Sequence, residues 1–153
     1  MLGTDAKPRV LEKTRGPHYP CTIIDARFRD ACYYEQPQWW QALFSDQWTN
    51  RDSRAILFQQ IGTWCDEVEG ATRQQRCYRG IGNNAPAVVA WDKEEMISLC
   101  KQMPSHEGEI ACRAAAAGAF FSKQPPASTP WSMCDGLSHD DRDRCVKIAQ
   151  SPP

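Results

Sequence analysis

Apolar residues return every three or four positions along most of this chain, and strict alternation is almost absent. Residues 52–68 show the pattern best. Ile56, Leu57, Ile61, Trp64 and Val68, with Gln60 among them, follow the i, i+3/i+4 spacing of an amphipathic helix. Gly62 weakens this helix by about 1 kcal/mol relative to Ala, and its small size suits the close approach of a neighbour. A third such segment falls within residues 87–103. Its regular part starts at Asp92, with Glu94 and Glu95 at the positive end of the helix dipole. Ser105 opens the next helix, whose residues 111–119 are nearly all small, which predicts the most buried helix of the fold. Further helices are predicted from Asp25 to a stop at Pro37, over residues 71–82 with a stop at Asn83-Asn84-Ala85-Pro86, and from Ser138 to about Ala149. A short helix is predicted over residues 131–137. Only residues 87–90 (AVVA) have any strand character, so the predicted fold class is all-α.

Cysteines punctuate this pattern at regular places. The eight fall into four consecutive pairs, Cys21/Cys32, Cys65/Cys77, Cys100/Cys112 and Cys134/Cys145, with gaps of 11, 12, 12 and 11 positions. Three residues after each first cysteine stands an apolar residue (Ile24, Val68, Met103, Leu137). Seven residues before each second cysteine stands a good helix N-cap type (Asp25, Gly70, Ser105, Ser138). The unit reads as the end of a helix A, a turn, and a helix B whose cysteine lies two turns in. In an antiparallel helix pair those cysteines face each other near the turn. A disulfide needs Cα atoms about 5–6 Å apart, and Ala31, Gly80, Ala111, Ala115 and Ala116 are small enough to allow it. Eight cysteines permit 105 connectivities; this spacing favours the four local ones. Metal ligation is the competing use. No Cys-x-x-Cys is present, and His18, His106 and His139 are not at ligand spacing, so no metal and no cofactor is expected.

The second cysteines recur at 45, 35 and 33 positions, a period typical of stacked helix pairs. The expected organisation is an extended arm (1–20), a disulfide-stapled helical domain (21–150) and a short tail (151–153). The domain divides into units near 21–37, 52–84, 87–123 and 131–150, with a Trp-rich insertion at 38–50 and a proline-rich linker at 124–130. Pro20 leaves the first unit with little or no helix A.

Charge removes some function classes. The net charge is −1 and the pI about 6.3, so no basic footprint for nucleic acid or an anionic membrane is present. No apolar run reaches the ~18 residues of a membrane span, leaving only peripheral attachment through a partner. Paired cysteines point to an oxidising, extracytoplasmic compartment, periplasmic or secreted. The first residues, MLGTDAKPRVLEK, lack the apolar core of a signal peptide, so export is expected to rest on a removed segment or on another route.

Candidate chemistry is sparse. His139, Asp140 and Asp141, and His106 after Ser105, occupy first helical turns, where capping and the dipole account for them. His18 lies between prolines in the arm. No nucleophile elbow, Walker A or dinucleotide fingerprint occurs, and Gly80 and Gly82 do not follow a strand. The chain therefore reads as a non-enzyme. Trp64 and Trp131, beside cysteine pairs, are expected in the core. The insertion QWWQALFSDQWTN places Trp40, Phe44 and Trp48 at four-residue steps, with Trp39 adjacent. It reads either as a cap on the end of the array or as an aromatic docking surface, since tryptophan is enriched at binding hot spots.

The four cysteine pairs, with LCKQM…IACRAAAAG as the best unit, resemble the Sel1-like and tetratricopeptide class of helix-pair repeats, in the secreted form with one disulfide per hairpin. The resemblance covers roughly residues 21–149. The gaps between paired cysteines are longer than usual for that class, and the tetratricopeptide Trp-Leu-Gly-Tyr series is absent. It implies an α-solenoid-like array and a binding or scaffolding role, and supplies no functional residues. The reading is a non-catalytic interaction or scaffold protein with a protein partner, of the kind that serves as an accessory subunit. Its expected partner-binding residues are Trp39, Trp40, Phe44 and Trp48. The alternatives are a small-ligand or carbohydrate-binding module using exposed tryptophans, and an enzyme or inhibitor whose site leaves no motif.

Overall fold

All regular structure among the described residues is helical. A computed structural model of the chain describes residues 16–123 and 131–153. The α-helices are α1 (Ala26–Leu43), α2 (Arg51–Asp66), α3 (Ala71–Val88), α4 (Lys93–Cys100), α5 (His106–Lys123) and α6 (His139–Gln150), with 3-10 turns at Ser45–Thr49 and Ser132–Cys134. The expected arm falls mostly outside the described residues, as does the proline-rich linker.

All four expected caps stand where the cysteine spacing puts them. Asp25 accepts from the Arg27 amide, Ser105 from that of Gly108 and Ser138 from that of Asp141. Gly70 supplies a positive φ of 97°, a conformation that favours glycine. The disulfides are Cys21–Cys32, Cys65–Cys77, Cys100–Cys112 and Cys134–Cys145, with Cα–Cα distances of 5.6, 5.5, 5.5 and 5.8 Å. Each joins the seventh residue of α1, α3, α5 or α6 to the element before it. Those preceding elements are unequal: a turn before α1, the helices α2 and α4, and a 3-10 turn in place of the helix expected over 131–137.

The helices that carry the second cysteine of each pair pack on one another. α3 lies between α1 and α5, and α6 lies against α5. Glycine makes this possible. A Cβ on Gly80 would stand 2.1 Å from the Tyr34 carbonyl oxygen of α1, and one on Gly82 would stand 2.0 Å from that of Cys112 in α5. Two residues along a helix rotate by about 200°, so the pair Gly80/Gly82 opens opposite faces of α3. Gly80 thus serves the approach to α1 rather than the Cys65–Cys77 disulfide. α5 is buried almost continuously from Ile110 to Ala117, as its alanine run predicts.

Two predicted stops are overturned. Pro37 does not end α1 and Pro86 does not end α3; both lie inside their helices. Each ring is fully buried, and Pro37 packs over Gly80. That burial offsets the helix-interior penalty of about 3 kcal/mol. α3 ends instead at Val88, where Ala90 and Trp91 take positive φ values of 51° and 63° and turn the chain into α4. Residues 87–90 are therefore helix end and turn, not strand.

Candidate functional site

Trp39 and Trp40 are neighbours on α1, so their side chains diverge by about 100°. Trp40 is fully buried, while Trp39 is 38% exposed. The Trp40 indole N–H donates to the Pro17 carbonyl at 2.8 Å, and its ring lies 5.1 Å from that of Trp64. Phe44 closes the end of α1 with its ring 6.1 Å from Trp64. Trp48 sits in the following 3-10 turn, donates to the Gln41 carbonyl at 3.0 Å and meets Phe58 edge-on at 5.4 Å. The four-residue recurrence therefore does not form one face of a short helix. The chain leaves the α-helix at Phe44, and the turn folds Trp48 back onto α2. Of the four residues expected to bind a partner, Trp40 belongs to the core, and Trp48 is half-buried against it. Phe44 borders an open groove, and Trp39 stands exposed.

That groove has a volume of about 290 Å³ and is lined by Phe44, Gln47, Ile56, Leu57, Gln60 and Trp64. Its long wall is one stripe of α2. Ile56, Gln60 and Trp64 fall at i, i+4, i+8, and Leu57, Phe58, Ile61 and Cys65 turn into the core. Ile56 is 65% exposed, the most open large apolar side chain of the described residues. Ile56, Gln60 and Trp64 were legible only as core positions of an amphipathic helix. The missed signal is the run Ile56-Leu57-Phe58, since three consecutive apolar residues span about 200° and cannot all face one core.

Arg54 fixes the groove's other wall. Its guanidinium donates to the Trp48 carbonyl at 2.7 Å and to Glu95 at 2.7 Å. The 3-10 turn, α2 and α4 are thereby tied at one point, and both charged groups are largely buried. No charged side chain lines the groove itself.

The histidines do not converge. His18 meets Glu67 at 3.1 Å, His106 meets Asp141 at 2.7 Å, and His139 lies 3.5 Å from Asp143. Among the described residues no three His, Cys, Asp or Glu side chains are grouped to hold a metal. No helix of theirs is long and apolar enough to cross a membrane.

The His106–Asp141 contact joins the first turns of α5 and α6, and Arg144 adds links to Asp141 and Glu107. The hydrogen bond from His106, then that from Ser138, holds the Asp141 carboxyl below its usual range. A carboxylate with a depressed folded-state pKa stabilises above its unfolded pKa, and that contribution is lost as pH falls through the folded value. The thermal midpoint of Asp141→Asn should therefore lie below that of the parent at pH 6. The gap should close as the solution is acidified past the carboxylate range; a gap that ignores pH would contradict the pairing.

Comparison with known proteins finds no matching family model, no matching curated protein and no matching solved structure.

Proposed function

We propose that this chain is a non-catalytic, extracytoplasmic interaction protein. Its contact surface is the groove between α2 and the Ser45–Thr49 turn. The observation that carries the reading is Ile56. It stands open to solvent beside Phe44 and Trp64, on a wall that the Cys65–Cys77 bridge and Arg54 hold in place. A preformed surface loses little freedom on binding. The lining is apolar with two neutral amides, Gln47 and Gln60, and no charge. Such a groove favours an uncharged protein segment that inserts apolar side chains and offers backbone groups to the glutamines. The four disulfides support a compartment in which such bridges persist. The neighbour-to-neighbour packing of α1, α3, α5 and α6 supports an array of stapled helical units of the Sel1-like kind, acting as a scaffold or accessory subunit.

A photo-crosslinker at position 56, used in the native extract, identifies the partner, which is then purified and titrated. Ile56→Asp should weaken its binding at least tenfold, about 1.4 kcal/mol. The variant's own stability should change by no more than about 0.5 kcal/mol, as at other surface positions. Equal affinity for both forms would sink the proposal.

One observation favours a second reading. Amides beside a half-buried aromatic ring that lines an open groove, as Gln47 and Gln60 share the groove with Trp64, also suit a sugar ring. A glycan ligand would change tryptophan fluorescence in the parent but not in Trp64→Phe.

A further inference from the structure

Three arginines among the described residues are buried or largely so, and two of them meet an acid. Arg54 pairs with Glu95 across α2 and α4, and Arg113 pairs with Glu109 at 2.9 Å within α5. Arg79 has no such partner. Its side chain belongs to a residue only 8% exposed, yet no carboxylate of the described residues stands within ion-pair distance of it. Its two Nη groups donate to the carbonyls of Ile148, Ser151 and Pro152, at 3.2, 2.6 and 3.2 Å, around the end of α6. Its Nε is buried without a partner. Five N–H donors make up a guanidinium, so this one is not fully satisfied.

The helix end answers part of the charge. A C-terminus presents roughly half a negative charge, which leaves about half of the Arg79 charge uncompensated. Arg76, one turn earlier on α3, adds to the excess. Burial first, and Arg76 after it, push the Arg79 pKa down, while the nearby Tyr34 phenol acts in the opposite direction.

Arg79 also borders a cavity of about 180 Å³. Tyr34, Asn83, Ser122 and Ser151 contribute polar groups to its wall, and Gly118 leaves part of it open. No acid lines it. The volume is below the roughly 300–1,000 Å³ of pockets for drug-sized molecules; it fits an ion or the end of a longer ligand. Guanidinium groups are the preferred partners of carboxylate and phosphate. We propose that this cavity is an oxyanion site, in which a carboxylate or phosphate group supplies the counter-charge that Arg79 lacks. The site lies among α1, α3, α5 and the end of α6, and is lined by none of the residues of the α2 groove.

The test follows the Arg79 Nε–H signal by NMR, together with the thermal midpoint, in the intact chain. Sodium phosphate and sodium acetate are titrated at constant ionic strength against chloride. A saturable shift of that signal and a rise in midpoint, with either anion and not with chloride, are expected. Arg79 variants risk misfolding because the residue also closes α6, so the decisive variant is Asn83→Glu. Position 83 is exposed, and a carboxylate there supplies the charge from within the chain. That variant should melt higher without added anion and lose the response to phosphate and acetate. A response shared equally by chloride, or one retained in Asn83→Glu, would overturn the assignment. Short peptides with free and amidated C-termini distinguish the source. Saturation by the free acid at lower concentration than acetate assigns the site to a polypeptide terminus, and otherwise to a free anion.

Discussion

Trp40→Ala should cost this fold about 3–5 kcal/mol, the range for deleting a buried tryptophan, while Trp39→Ala should cost no more than about 0.5 kcal/mol. The two residues are adjacent in sequence and identical in chemistry, so the difference isolates environment. Trp40 is fully enclosed and touches two other parts of the chain. Its ring lies 5.1 Å from Trp64 of α2 and 6.1 Å from His18, and its N–H holds the Pro17 carbonyl. Removing it empties the junction between the 16–24 turn, α1 and α2. Only Gln36 would still bind the Pro17 carbonyl. Chemical denaturation of the two variants beside the parent is the measurement. Similar losses in both would mean that Trp40 is not the core residue described here. The comparison also decides how partner binding can be probed: a binding defect in Trp40→Ala would report unfolding, whereas one in Trp39→Ala or Ile56→Asp would report the surface.

Gly82→Ala should lose about 3 kcal/mol or more, at the upper end for overpacked cores, although the same change in an isolated helix gains about 1 kcal/mol. The added methyl would lie 2.0 Å from the Cys112 carbonyl oxygen and 2.9 Å from its carbon. That obstacle is helix backbone and cannot rotate away, so α3 and α5 would have to separate. Gly80→Ala meets the same objection at Tyr34 of α1. Gly118→Ala is the control. Its nearest neighbour would be the Ala149 carbonyl oxygen at 3.7 Å, an ordinary contact, so helix propensity should dominate and stability should rise by up to about 1 kcal/mol. Thermal midpoints of the three variants test the pattern. A Gly82→Ala protein as stable as its parent would mean that the two helices do not approach this closely.

Local rules written into the sequence were the readable part of the fold. The caps Asp25, Gly70, Ser105 and Ser138 act through one or two backbone groups within a single turn, and all four helix starts follow from them. The disulfides follow in turn from the caps, because a fixed start and a fixed seven-residue step place each second cysteine. Pro37 and Pro86 misled because their local penalty is real but is outweighed by distant partners that no local pattern displays. The aromatic insertion misled for a related reason. A four-residue recurrence predicts one face only if the helix continues, and Phe44 ends it. Ile56 was legible as apolar but not as exposed, since α2 offers more apolar surface than one neighbour can cover. Arg79 was hidden just before the glycines 80 and 82, whose role appears only once three helices are in place.

The cysteines of this protein pair in order, first with second, third with fourth and so on, 11 or 12 residues apart. Order of appearance during synthesis is therefore already the order of correct pairing. An oxidant that simply joins thiols as they emerge, first to second and third to fourth, writes the native connectivity without correction. Of 105 ways to connect eight cysteines, this is the one that needs no proofreading by disulfide exchange.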